Sequence, residues 1–197
     1  MKNTFKILIL SGALFLAADA VVFGFGIGVG GVFDMRFNGS ISSPDVSGTV
    51  SNNILAGGGF VALDFRNIEL SLGTSFGNIE YSLNNKTTEN LTVLQIGLLG
   101  KLPLKLGPIV LYPILGTQFD FNLANNKNSP LWIMGGAGVD VLLAGNWYVR
   151  CNGLYGIPFQ NEFDASTVAG DVINHYKDAK LGNGVKIRLS VGYNFSG

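Results

Sequence analysis

After its first twenty residues the chain alternates apolar with polar or glycine positions almost to its end, and a period of two admits strands and little else. From Val21 the odd positions are Val21, Phe23, Phe25, Ile27, Val29, Gly31, Phe33, Met35 and Phe37; the even ones are Val22, four glycines, Val32, Asp34, Arg36 and Asn38. The same two-faced pattern recurs over residues 55–66, 68–76, 93–102, 109–122, 131–143, 147–159 and 185–195, which makes eight strands. Their connections differ in length. Arg66-Asn67, the segment from Pro103 to Pro108, and Ala144-Gly145-Asn146 read as tight turns. Gly39 to Asn53, Asn84 to Asn90, Ala124 to Ser129 and Gln160 to Asn183 read as longer polar loops. Short turns at one end and loops at the other describe an up-and-down antiparallel sheet, and no linker or repeat divides it.

The first twenty residues are of another kind. Lys2 and Lys6 precede an apolar run from Phe5 to Ala18 that closes on Ala18-Asp19-Ala20, the layout of a cleavable signal peptide, and the run is too short to cross a bilayer as a helix. The expected division is a leader at 1–20 and one barrel domain at 21–197. Cleavage takes Lys2, Lys6 and Asp19 from thirteen bases and thirteen acids and leaves a net charge of −1. So neutral a chain has no basic face for nucleic acid. Cys151 is the only cysteine, so no intrachain disulfide or multi-cysteine metal site can form.

Eight strands with one apolar face suit either a soluble sandwich or carrier barrel, apolar side inward, or a membrane barrel, apolar side outward. The polar faces are mostly Gly, Ser, Asn and Gln, with few charges for a water-facing exterior. Glycine would weaken a solvent face, but inside a narrow lumen it leaves room for the side chains that do point inward. The apolar-face aromatics sort to two levels. Phe23, Phe25, Phe65, Trp147, Tyr193 and Phe195 fall at the turn end; Phe33, Phe37, Phe76, Phe119, Phe121, Tyr155 and Phe159 fall at the loop end. Two aromatic girdles around an aliphatic band favour the membrane reading. The expected fold is an all-β, eight-stranded antiparallel up-and-down transmembrane β-barrel.

With this pattern, and with the closing strand Val185-Lys186-Ile187-Arg188-Leu189-Ser190-Val191-Gly192-Tyr193-Asn194-Phe195, the sequence resembles the small eight-stranded outer-membrane proteins, the superfamily of the OmpA membrane domain, OmpX and OmpW. That family usually stops at the aromatic, whereas here Ser196-Gly197 follow. The resemblance implies a bacterial outer-membrane location, contact with outer-membrane lipid, and recognition of the last strand by the outer-membrane assembly machinery. Likeness to OmpW implies small hydrophobic molecules as ligands.

The candidate site residues all point inward. Asp64, Arg66, Glu69, Lys101, Asp140 and Arg150 belong to the turn end, and Asp34, Arg36, Asp120, Lys186 and Arg188 to the loop end. In so narrow a barrel opposite charges should pair and plug the hollow, since an unpaired buried charge is costly; the functional alternative is a narrow polar pore. Phe60, Val93, Ile114, Trp132, Met134 and Leu154 break the polar pattern. They form an apolar lumen patch that either fills space or receives a small hydrophobic molecule. The G-x-G-x-x-G string from Gly26 to Gly31 sits inside a strand rather than opening a helix, so it does not suggest a nucleotide site. The only histidine, His175, shares the longest loop with Ser166, Asp171 and Asp178, but nothing in the spacing aligns them for catalysis. No catalytic residue, metal or cofactor is expected, and the protein is read as a non-enzymatic monomer. Two functions stand: a narrow passage or binding barrel for small hydrophobic molecules, or a structural or surface-interaction barrel that displays its loops to external ligands.

Overall fold

The computed structural model describes residues 25–43, 46–65, 67–82, 86–123, 130–159, 162–163, 178–180 and 182–195. Eight long strands make the wall: β1 (Phe25–Ser43), β2 (Val46–Phe65), β3 (Ile68–Ser82), β4 (Lys86–Lys101), β5 (Ile109–Asn122), β6 (Leu131–Leu142), β7 (Trp147–Pro158) and β8 (Asn183–Asn194). Each pairs antiparallel with its neighbours in sequence, and β8 pairs with β1, so the sheet closes on itself. The expected leader at 1–20, Phe23 and Arg66 lie outside the described residues.

The strand register fixes the width. A circuit of paired residues starting at Phe25 passes Phe65, Ile68, Gly100, Leu115, Gly135, Tyr155 and Val185, and returns to β1 at Met35. The return lies ten residues further along the strand. With ordinary strand spacing and rise, eight strands and a ten-residue offset set a tilt of about 43° and a backbone radius of about 8 Å, which side chains can fill. At that tilt Phe25 and Phe37, at the two rims of β1, stand about 29 Å apart along the axis.

Alternation decides which side chains enter. Along β7 exposed and buried residues alternate without a break from Trp147 to Pro158, with Trp147, Val149, Cys151, Tyr155 and Ile157 outside and Tyr148, Arg150, Asn152 and Leu154 inside. The outer face is aliphatic on every strand, as Val29, Leu55, Leu72, Leu98, Leu115, Ile133 and Leu189 show, and Val29 is 63% exposed. At the turn end the aromatics make a continuous arc. Trp147 touches Tyr193, Tyr193 touches Phe195, Phe195 stacks on Phe25 and Phe25 packs on Phe65, with ring centroids 5.2–5.6 Å apart. The arc covers only β7, β8, β1 and β2. On the other half of the rim Ile68, Leu102, Leu104, Leu106, Ile109 and Leu111 take its place.

Four connections carry more strand than the alternation implied. Within Gln160 to Asn183, Asp178–Lys180 pairs with Ser42 to Ser40 of β1 and, on its other side, with Glu162–Phe163. The segment Gly39 to Asn53 is largely strand, with Gly39 paired to Asn52 and Ser43 to Val46. Likewise β4 begins at Lys86, inside the expected loop from Asn84. Beyond the apolar band neither face of a strand needs to be apolar, so the hydropathy signal ends where the backbone ladder does not. Between Pro103 and Pro108, Leu104–Leu106 pairs with Leu111 to Ile109, which leaves Gly107-Pro108 as a two-residue hairpin turn, with Gly107 at φ +63°.

Candidate functional site: the filled lumen

The inward side chains form two ion clusters at different depths. Asp64 stands opposite Gly26 near the start of β1, whereas Asp34 lies eight residues further along that strand. At the turn end Arg150 reaches Asp64 (2.5 Å), Glu69 (2.7 Å) and Asp140 (2.6 Å), and Lys101 reaches Asp64 (2.7 Å) and Glu69 (3.5 Å). Arg188 completes the cluster at 2.8 Å from Glu69. At the loop end Arg36 bridges Asp34 (3.0 Å) and Asp120 (2.5 Å), and Lys186 lies 3.2 Å from Asp34 and 3.8 Å from Asp120. Among the described residues the clusters are therefore neutral, three carboxylates with three cations and two with two. Such matching is what makes buried charge tolerable.

Arg188 is not where its strand position suggested. It and Lys186 are two residues apart on β8, opposite Val32 and Asp34, so both read as loop-end charges. Their heads diverge, because the arginine stem is long enough to carry its guanidinium to the lower cluster while its charge lies over the Phe60 ring, 3.9 Å from the centroid. Arg66 lies outside the described residues.

The apolar patch divides into three. Ile114, Trp132, Met134 and Leu154 pack together with Leu99 and Tyr112. Val93 belongs with Ile54, Ala56 and Leu91, and Phe60 with Val32 and Ala62. Trp132 is 1% exposed and Met134 fully buried, so these residues touch each other rather than an open channel.

Reading the sequence did not single out the two inward tyrosines. The Tyr112 hydroxyl lies 2.6 Å from Asp140 and 2.9 Å from Asn152. The Arg150 guanidinium lies over both the Tyr112 and Tyr148 rings. Both positions had a usable sign, which becomes visible once the register is known: large inward residues are paired across strands with glycine. Tyr148 pairs with Gly192, Tyr112 with Gly138, Phe60 with Gly73, Met134 with Gly156 and Arg36 with Gly184. A Cβ at Gly192 or Gly138 would overlap the tyrosine ring opposite. The lumen is packed by these large-against-none pairs.

A cavity of about 10 Å³ lies between the ion clusters. The Gly26–Gly31 segment is extended within β1 and opens no helix. His175, Ser166 and Asp171 lie outside the described residues, and the Asp178 side chain is likewise not described.

No protein-family model matches the chain, and no curated protein matches it. Solved structures do. The outer membrane protein OprG from Pseudomonas aeruginosa is 12% identical, over 89% of this chain and 98% of that one, with a TM-score of 0.50. Neisserial surface protein A is 11% identical over 87% and 97%, at a TM-score of 0.46. Ail, the attachment invasion locus protein of Yersinia pestis, is 12% identical over 88% and 100%, at 0.40. At such identities the likeness is one of fold, that of the small eight-stranded outer-membrane barrels.

Proposed function

We propose that the chain is a non-enzymatic integral protein of a bacterial outer membrane, exported by the leader at 1–20, that acts through its exposed ends as a structural or surface-interaction barrel and not as a conduit. In this reading it stands as a monomer with the N- and C-termini of the chain in the periplasm and the long loops outside. The assembly machinery recognises the strand ending at Phe195, and the loops face any external ligand.

Support for the membrane placement comes from the outer wall. Its side chains are aliphatic between a half-aromatic turn rim and the aromatics Phe33, Phe76, Phe121, Tyr155 and Phe159 at the loop end, over an axial height close to the ~25–30 Å of bilayer hydrocarbon. In water such a surface would be an aggregation hazard. The observation that carries the choice of function is the filled hollow: two neutral ion clusters, with apolar side chains packed between them and a cavity of only about 10 Å³ beside Arg188. A passage for small hydrophobic molecules needs a wall that such molecules can reach, and Trp132, Met134 and Ile114 are held in contact with one another instead.

The test is electrical. Purified protein in planar bilayers in symmetrical potassium chloride is expected to give no discrete conductance steps. Reproducible steps that vanish in Trp132→Ala or change amplitude in Met134→Ala would return the protein to the passage class.

A further inference from the structure

The cavity between the clusters has a polar side made by Ser71, Gln95, Gln118 and Arg188 and an apolar side made by Val32 and Phe60. We propose that it is a built site for a single water molecule, and that this water is the hydrogen-bonded link between the two ion clusters. The polar residues belong to both. Arg188 Nη1 forms an ion pair with Glu69 Oε1 of the lower cluster at 2.8 Å. Gln95 donates from Nε2 to Asp34 at 3.4 Å, and Gln118 donates to Asp120, both in the upper one. Arg188 Nη2 is buried and has no hydrogen-bond partner among the described residues, and its side chain is 6% exposed.

Three considerations select water as the occupant. About 10 Å³ is close to the least space that admits one water molecule, and too little for any organic guest. A buried water needs two to four polar partners, and four polar side chains line this space. An unpaired buried N–H is expensive to leave, so the idle Arg188 donor favours filling the site with an acceptor. An anion has less to gain, because every cation in both clusters already faces a carboxylate. The site is independent of whether the barrel conducts.

A crystal structure of the detergent-purified protein at about 1.8 Å or better, together with one of Val32→Ile, tests this. The wild type is expected to show one water within about 3.2 Å of Arg188 Nη2 and of a Gln95 or Gln118 amide. In Val32→Ile, where the added methyl enters the cavity, that peak is lost. An empty cavity in the wild type, or Arg188 Nη2 bonded to a protein acceptor, overturns the proposal. If the variant does not fold, the wild-type density alone decides.

Discussion

Arg188 on the last strand and Glu69 on the third meet inside the barrel, Nη1 to Oε1, at 2.8 Å. The strand that closes the sheet is thereby tied to the far wall as well as to its two neighbours. Arg188→Met breaks that tie and leaves the lower cluster one cation short, so it is expected to lower the unfolding free energy by about 3–5 kcal/mol. Adding Glu69→Gln restores the charge balance, and the double variant is expected to lose less than the sum of the two. Urea titrations of the protein in lipid vesicles measure both, and strictly additive losses would show that the two residues are not coupled.

Gly192 faces the Tyr148 ring, whereas an added Cβ at Gly153 meets nothing within 4 Å. Gly192→Ala should therefore destabilise the barrel by about 1–3 kcal/mol, and Gly153→Ala by much less. Shrinking the tyrosine in a Tyr148→Ala, Gly192→Ala double variant should recover part of the loss relative to Tyr148→Ala alone. Folded fractions from heat-modifiable gel mobility report the order, and equal effects at the two glycines would remove the ring-over-glycine packing.

Cys151 is exposed on the outer face of β7, paired with Leu189 on one side and Val139 on the other. In membranes its thiol is expected to react with an uncharged lipophilic maleimide and to resist a charged, membrane-impermeant one. Rapid labelling by the charged reagent would put water against this wall.

Phe195 fastens the seam twice: its backbone N–H donates to Phe25 O at 2.8 Å, and its ring lies between Phe25 and Tyr193. Phe195→Ala keeps the first contact and loses the second, an expected loss of about 1–3 kcal/mol for two ring contacts. Phe121→Ala at the opposite rim serves as the comparison. Refolding yield into vesicles should fall in Phe195→Ala and fall less in Phe121→Ala; the reverse order would detach the aromatic arc from closure.

Strand number, barrel closure and the sidedness of each strand could be read from Val21 onward, because burial on one face writes itself into every second residue. Strand ends could not, since the polar stretch around Ser40 pairs through its backbone and leaves no mark in hydropathy. Ten of the lumen charges were recognisable as inward by parity, and their grouping mostly by depth. Arg188 escaped because the reach of a long side chain is not a property of its Cα. Tyr148 and Tyr112 escaped because their roles depend on which glycine lies opposite, which only the register reveals.

The ten-residue offset met on walking once around the wall sets the girth of this cylinder, and it is a property of the hydrogen-bond ladder as a whole. Substitutions in the hollow alter its stuffing and leave the hoop unchanged. A descendant that carried cargo larger than a solvent molecule would have to strip out the arginines and aromatic rings or splice in another hairpin, and only the second route yields a wider tube.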